Sequence, residues 1–189
     1  DAEDHLDAFI SREAIKFMAR HQDQPFFLVA SFMKPHTPLY APKEWADRYP
    51  IEAMELPEVG DISQYPAHVQ QRIRGIQKHS AHQRKAHRAG YMANLAFVDT
   101  CIGAVYDALG QLGLADNTIV VYTSDHGEMD GDHGLFQKFI LFEPSVRIPL
   151  IVSYPKCLPQ GVVTDALTEY IGLYPTLAEL AGLAGAMVG

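Results

Sequence analysis

Asp125 and His126 are the residues of this sequence best placed to bind a metal. They stand near the start of the segment 124–134, and six of the nine residues from 125 to 133 have side chains that can ligate a cation. Carboxylate oxygens favour a hard cation such as Ca²⁺ or Mg²⁺, and imidazole also accepts Mn²⁺ or Zn²⁺. Both side chains can reach one cation if the backbone turns sharply there, and Gly127 permits such a turn. We therefore predict a divalent cation site at Asp125 and His126.

The other acidic residues of this segment are explained more simply. An acidic surface turn is the general alternative for the whole segment, and a solvated turn is the prediction for Glu128, Asp130 and Asp132. An EF-hand loop needs a glycine at its sixth place and a glutamate at its twelfth. Asp130 and Phe136 stand at those places here, so a calcium loop of that type is excluded.

A histidine and a lysine outside the segment are further candidates for chemistry. His36 lies in the sequence Lys-Pro-His-Thr-Pro, and a rigid loop between two prolines reduces the entropy lost when a side chain is held ready for a substrate. Lys138 follows His126 by twelve residues and can supply a positive charge to a bound oxyanion. The alternatives are an incidental loop histidine and a surface lysine.

Three short apolar runs predict the strands that position these residues. They cover 26–32, 118–123 and 148–154, and continuous runs of this length fit strands buried on both faces, as in a parallel sheet. The first run leads into the loop of His36 and the second into that of Asp125. Ligands of open α/β sheets bind outside the carboxyl ends of the strands. We therefore expect both loops to face one crevice.

Predicted helices alternate with these runs. Apolar residues recur at helical spacing over 6–20 and 92–109, and a last helix is expected over 174–181. Residues 43–66 are predicted to be loop, and residues 68–90 to form a solvated helix, with an anion-attracting arm as the alternative. Four histidines of that polar segment are also expected to be solvated: His68, His79, His82 and His87. The fold class that follows is α/β, with a mostly parallel sheet sandwiched by helices.

Composition excludes several classes of protein. The 189 residues carry a formal net charge of −8 and are 48% hydrophobic, which excludes a disordered chain and argues against a general nucleic-acid binder. Cys101 and Cys157 make neither a disulfide framework nor a four-thiolate metal site. The apolar runs fall short of the ~20 residues that span a bilayer, so we expect no transmembrane segment. The first residues have no initiator methionine and no signal peptide, so we expect a piece of a longer protein.

Several motifs occur together in a recognisable order. They are Thr-Ile-Val-Val-Tyr-Thr-Ser-Asp-His-Gly-Glu from position 118, Gly-Asp-His-Gly from 131, Lys138, and Glu-Pro-Ser-Val-Arg-Ile-Pro-Leu-Ile-Val from 143. This set resembles the sulfatase family of the alkaline phosphatase superfamily, nearest to its choline-sulfatase, iduronate-sulfatase and phosphonate-monoester-hydrolase branches. Residues 26–38 resemble the family's strand and His-x-Pro loop, and 91–113 and 165–182 resemble two of its helices. Residues 43–90 match least.

The resemblance implies roles for five residues. Asp125 and His126 are expected to ligate the divalent cation, most often Ca²⁺ in this family, with Mn²⁺ or Mg²⁺ as alternatives. Lys138 and His36 are expected to contact the sulfate group and the leaving oxygen, and His133 is a further candidate for the substrate pocket. The implied substrate is a small sulfated molecule, whose identity the sequence leaves open together with the oligomeric state.

The departures from the family pattern concern the nucleophile. Sulfatases use a formylglycine made from Cys or Ser in Cys/Ser-x-Pro-x-Arg, whereas this chain has Cys-Leu-Pro-Gln-Gly from Cys157, with Gly161 in place of the arginine. We therefore expect a partial catalytic domain over 1–189, with the nucleophile in an upstream half that this chain lacks. The alternatives are a phosphodiesterase or phosphonate monoester hydrolase of the same superfamily, and a non-catalytic fragment that keeps only the fold. A periplasmic or secreted location is favoured over a cytoplasmic one.

Overall fold

The computed structural model describes residues 1–183. The chain divides into two compact units, Asp1–Leu158 and Pro159–Gly189. The first unit contains five helices and two strands among the described residues. In chain order these are α1 Leu6–His21, α2 Lys43–Ala46, α3 Ala67–Gln77, α4 Ala81–Gln111, β1 Val120–Thr123, α5 Glu143–Val146 and β2 Leu150–Ser153. Short 3₁₀ turns lie between several of them, including Asp132–Gly134 in the acidic segment.

α4 is the central element of the first unit. It begins with a capping box, in which the Ser80 hydroxyl accepts from the Gln83 N–H at 3.2 Å and the Gln83 side chain accepts from the Ser80 N–H at 2.9 Å. Gly113, just beyond its end, adopts the left-handed conformation with φ 68°. The predicted helix over 92–109 is therefore confirmed, and the same helix takes in much of the polar segment that precedes it.

Two apolar clusters join α4 to its neighbours. Toward its end Ala108 and Leu109 are buried with Met18 of α1, and near its middle Phe97 packs with Trp45 of α2. Their close packing supports the helical prediction over 6–20, which is observed as α1. Within residues 1–183, α4 is also the one helix long and apolar enough to cross a membrane by length and composition, a test that core helices of soluble proteins pass as well.

The sheet differs from the predicted one in direction. β1 and β2 occupy two of the predicted runs, but they pair antiparallel, with Val120 opposite Ser153 and Thr123 opposite Leu150. Parallel pairing requires a crossover that returns the chain, usually through a helix. The connection from β1 to β2 contains only single-turn helices, and α/β sheets that are otherwise parallel commonly carry an antiparallel pair. The α/β class holds, and the described sheet is small.

The first predicted strand is not observed as a strand. Residues 26–32 pair with no other segment of the described chain. The side chains of this segment nevertheless alternate between two faces. Phe26 and Leu28 pack with the α1–α4 cluster, whereas Phe27 and Val29 are 77% and 69% exposed. The apolar run therefore marks a segment with two apolar faces, of which one is covered here.

The segment predicted to be solvated contributes to the core instead. Val69 and Ile73 of α3 are buried with Met129 and Leu135 of the acidic segment. Burial of two apolar side chains on a single face makes α3 amphipathic, and this face supports the loop that carries the candidate site residues. Residues 43–66 are mostly irregular, as predicted, apart from α2 and a short 3₁₀ turn.

The second unit contains a single α-helix in its described part. α6 runs from Leu173 to Leu180 after a 3₁₀ turn at Tyr170–Gly172, and Gly182 follows with φ 74°. This helix matches the one predicted over 174–181, with Pro175 in its first turn, where the missing N–H costs nothing.

Candidate active site

Gly127 fixes the turn that follows β1. Its N–H donates to the carbonyl oxygen of Ser145 at 2.8 Å, and a Cβ atom added to it would lie 2.0 Å from the carbonyl oxygen of Pro144. Glycine is therefore required by the close approach of the α5 backbone. From the sequence, Gly127 was predicted only to permit a sharp turn, and the contact with the Pro144 carbonyl oxygen is what requires glycine here.

The side chains of Asp125 and His126 converge beside this turn. Asp125 Oδ2 lies 3.7 Å from His126 Nε2, and the Asp125 side chain is 84% exposed. His126 Nδ1 donates to the Gly127 carbonyl oxygen at 2.8 Å, since a carbonyl only accepts, which leaves the Nε2 lone pair free. The other Asp125 oxygen accepts from the His126 N–H at 3.0 Å.

This donor pair fits part of a metal site. Two donors 3.7 Å apart can share a cation at the roughly 2.0–2.6 Å ligand distances of divalent metals. A backbone carbonyl holds the second ring nitrogen of His126, as is usual for a ligating histidine. Within residues 1–183 no group of three or more His, Cys, Asp or Glu side chains is arranged to hold a metal ion. Residues 1–183 thus offer two candidate ligands at this position, which is fewer than the six to eight that calcium takes.

His36 and Lys138 meet although 102 residues separate them. Lys138 Nζ donates to His36 Nε2 at 2.7 Å. The opposite ring nitrogen, Nδ1, donates to the Thr37 carbonyl oxygen at 2.7 Å, so the ring is the tautomer that accepts at Nε2. A cationic donor and an imidazole at this separation can both reach the oxygens of one anion.

The two pairs lie next to each other. The ring centroids of His36 and His126 are 6.1 Å apart, with the rings inclined at 62°. The structure therefore brings Asp125, His126, His36 and Lys138 into one region, as expected from the two loops. A site of this composition can supply carboxylate and imidazole ligands for a cation and, from Lys138, a cationic donor for an anion.

His133 has different neighbours. Its Nδ1 lies 2.9 Å from the Tyr65 hydroxyl, and its ring packs against Phe142 at a centroid distance of 4.7 Å. His133 itself adopts a left-handed conformation with φ 53°. The described contacts attach it to the apolar cluster beneath the acidic segment, and its proposed role in the pocket stays a prediction.

Asp130 is not part of a solvated turn, which corrects that prediction. Its side chain is only 14% exposed and its Oδ2 lies 3.3 Å from Arg88 Nη1 of α4. Burial raises the pKa of Asp130 to about 7, because the loss of solvent outweighs the opposing effect of Arg88, and Glu128 and Asp132 raise it further. Arg88 also donates to the Asp130 carbonyl oxygen. These contacts with Arg88 tie the acidic segment to α4.

His87 is also partly buried, contrary to the solvated position predicted for it. Its ring packs on Phe136 at a centroid distance of 4.3 Å, and burial lowers its pKa, with the charge of Glu128 opposing the shift. A solvated histidine was expected there. α4, which carries His87, packs against the acidic segment. The polar composition of residues 68–90 indicated contact with solvent instead.

Arg72 contacts the site loop and was missed altogether. Its guanidinium donates to the backbone carbonyls of Phe136, Lys138 and Phe139, at 3.4, 2.7 and 3.3 Å. The sequence places Arg72 in the segment predicted to be solvated. The one sequence feature that could have indicated a buried role is its position next to Ile73, which shares a helical face with Val69.

The family is settled by comparison with known proteins. A family model described as Sulfatase matches residues 2–183. The chain belongs to the sulfatase family. The resemblance seen in its ordered motifs is thereby confirmed, together with the fold class.

Individual sulfatases and related hydrolases align over most of this chain. A sulfatase of Formosa agariphila is 38% identical over 87% of the chain and 34% of its own length, and a choline-sulfatase of Rhizobium meliloti is 32% identical over 93% and 36%. A solved structure of a phosphonate monoester hydrolase from Silicibacter pomeroyi superposes with a TM-score of 0.82 at 29% identity, over 96% of this chain and 38% of the other. The chain spans about a third of the length of the curated relatives it matches.

Proposed function

We propose that this chain is part of a metal-dependent sulfuric ester hydrolase, and that it supplies the groups that bind the ester and two ligands of the cation. The observation that carries the proposal is the 2.7 Å hydrogen bond between Lys138 Nζ and His36 Nε2, next to His126 at the end of β1. Family membership supports the assignment to sulfatase chemistry. The chain is proposed to belong to a longer protein, the parent protein.

Lys138 and His36 are proposed to hold the sulfate group. The ammonium is a point charge that stabilises negative charge on the sulfate oxygens and on the departing oxygen. In the structure it donates to His36 Nε2, so substrate binding requires this bond to break. His36 can then donate to an ester oxygen only with a proton on Nε2, because an acceptor nitrogen cannot bond an acceptor oxygen. The Thr37 carbonyl keeps the His36 ring oriented when that bond breaks.

Asp125 and His126 are proposed to hold the divalent cation, most often Ca²⁺ in this family. When bound, such a cation supplies Lewis-acid stabilisation of charge on the reacting group. The contribution of this chain is to orient the two ligands, through the His126 bond to the Gly127 carbonyl and the close contact of Gly127 with α5. Further ligands are proposed to come from the rest of the parent protein.

The nucleophile is also proposed to lie outside these residues. Cys157 is exposed and follows β2, and its motif lacks the arginine of the formylglycine signature. Cys101 is buried in α4, where burial raises the pKa of its thiol and disfavours the reactive thiolate. We therefore propose a formylglycine contributed by another segment of the parent protein.

A phosphonate or phosphate diester is the alternative substrate class. The observation in its favour is the superposition on a phosphonate monoester hydrolase, with a TM-score of 0.82. Both reactions place an anionic tetrahedral ester between a cation and basic side chains, so the described residues suit either. A chain that retains the fold without catalysis is the remaining alternative.

The substrate class is tested on the parent protein. Steady-state kcat/KM is measured for 4-nitrophenyl sulfate and for 4-nitrophenyl phenylphosphonate, which share a leaving group. The proposal predicts a higher kcat/KM for the sulfate ester. A preference for the phosphonate ester would establish the alternative, and absence of turnover on both would favour the non-catalytic interpretation.

A further inference from the structure

Lys138 lies in a loop whose backbone is unusual on both sides of it. Gln137 and Phe139 have φ values of 67° and 79°, in the left-handed region that residues other than glycine rarely adopt. Such a conformation persists only where surrounding contacts hold it. The direction in which the Lys138 side chain leaves the backbone therefore depends on whatever fixes these two neighbours.

Arg72 of α3 makes the contacts that fix this loop. Its Nη2 donates to the carbonyls of Phe136 and Lys138, and its Nη1 donates to that of Phe139. The guanidinium carbon also lies 5.5 Å from the centroid of the Phe139 ring. The Arg72 side chain thus contacts Phe136, which precedes the left-handed Gln137, as well as Lys138 and the left-handed Phe139.

The opposite side of the loop has a second anchor. The Gln137 N–H donates to the Glu128 carboxylate, and the Gln137 carbonyl accepts from the Met129 N–H at 3.0 Å. These bonds hold Gln137, whereas the carbonyls on either side of it have Arg72 as a common donor. Without Arg72, the backbone of Lys138 would lose its 2.7 Å bond.

We propose that Arg72 is a positioning residue, which holds the Lys138 loop so that the lysine ammonium meets His36. The proposal rests on the assigned role of Lys138 in binding the sulfate group. Arg72 acts on the reaction only through Lys138, because the contacts of its guanidinium are with the loop carbonyls and the Phe139 ring. A planar guanidinium is suited to this task, since its fixed fork spans several acceptors that a lysine ammonium could not serve together.

The first test is kinetic and uses the parent protein. Arg72→Met keeps the length of the apolar stem and removes the donors, and Arg72→Lys keeps the charge without the fork. The matched control is Arg74→Met, because Arg74 lies on the same helix and donates to Gln70 at 2.9 Å. We expect kcat/KM for 4-nitrophenyl sulfate to fall about 10- to 100-fold in both Arg72 variants, as for a misplaced catalytic group. Arg74→Met should stay within about twofold of wild type.

A double variant separates positioning from general stability. In a Lys138→Ala background, Arg72→Met should lower kcat/KM by less than about twofold, because residues that act through one another are not additive. An equal fall in both backgrounds would overturn the proposal. If Arg72→Met does not fold, the same comparison is made with Arg72→Lys.

A structural readout keeps this inference separate from the proposed function. In the 189-residue protein, the nuclear Overhauser effect between the Lys138 ε-methylene and the His36 ring reports their contact. We expect it to be lost in Arg72→Met and retained in Arg74→Met. That result without sulfatase activity in the parent protein would refute the function and leave the positioning role standing. Retention of the effect in Arg72→Met would refute the positioning role.

Discussion

Replacing Gly127 by alanine tests how firmly the metal-ligand turn is held. The added Cβ would lie 2.0 Å from the Pro144 carbonyl oxygen, whereas real Cβ atoms essentially never come within 3.0 Å of another heavy atom. The obstructing atom is backbone, so no side chain can swing away. The turn or α5 must therefore move by at least about 1 Å to restore a separation of 3.0 Å. A packed interior transmits such a displacement to its neighbours.

The expected effect has a catalytic and a stability component. A 1 Å displacement next to His126 should lower kcat/KM for 4-nitrophenyl sulfate about 100-fold in the parent protein. Overpacking should also lower the free energy of unfolding by about 1–3 kcal/mol, measured by urea denaturation. The N–H of residue 127 would in addition lose its 2.8 Å bond to Ser145.

Gly103→Ala is the matched control for this substitution. Gly103 lies inside α4, and a Cβ atom there would have no heavy atom within 4 Å apart from its chain neighbours and the backbone of its own helix. Alanine should stabilise this helix by about 0.5–1 kcal/mol without changing kcat/KM. The account of the turn is refuted if Gly127→Ala keeps kcat/KM within twofold and leaves the free energy of unfolding unchanged.

Three further predictions follow from the same geometry. Asp125→Ala in the parent protein should abolish turnover of aryl sulfates, and near wild-type rates would remove Asp125 from the metal site. The 189-residue chain alone should show no turnover of an aryl sulfate, because its nucleophile is proposed to lie in another segment and because two ligands cannot satisfy a calcium ion that takes six to eight oxygens. Measurable turnover would contradict the assignment of the nucleophile to another segment. The pKa of Asp130 is raised to about 7 in the folded chain, so the folded state binds this proton more tightly than the unfolded state and the chain should lose stability as pH rises from about 4 to 7. Urea denaturation at pH 5 and pH 8 should show a smaller pH difference in Asp130→Asn than in wild type or in the exposed control Asp107→Asn, and an unchanged difference would contradict the buried state of Asp130.

Local patterns were sufficient to predict the elements that carry the site. The continuous apolar runs that became β1 and β2, and the helical spacing that became α4, are properties of neighbouring residues. The direction in which two strands pair is not a property of neighbouring residues, because a strand buried on both faces can pair in either direction. The antiparallel β1–β2 pair therefore could not be derived from the runs alone.

The candidate site shows the same division. Asp125 and His126 were predicted as metal ligands because an Asp and a His stand together after an apolar run, and His36 and Lys138 were predicted from a proline-braced loop and from a positive charge. The structure brings these four residues into one region, and their roles stay predictions. The contacts of Arg72 were not predicted, since its acceptors are backbone carbonyls. Every residue has such a carbonyl, so the sequence does not distinguish the acceptors.

The environment of Asp130 was missed for a related reason. Its partner Arg88 lies 42 residues upstream, on a helix whose polar composition suggested contact with solvent. Gly127 was predicted to permit a sharp turn, but the requirement for glycine comes from the Pro144 carbonyl oxygen, which only the tertiary structure brings near.

The central claim is that Lys138 and His36 bind the anionic group of a sulfate ester. Its most direct test is kcat/KM for 4-nitrophenyl sulfate in the parent protein carrying Lys138→Ala, with Lys156→Ala as control, because Lys156 is another lysine with one hydrogen bond to a side chain, Asn117 at 2.8 Å. The account predicts a fall of about 100- to 1,000-fold for Lys138→Ala, the usual cost of removing a group that stabilises developing negative charge, and no change for Lys156→Ala. Equal values of kcat/KM in the two variants would contradict it.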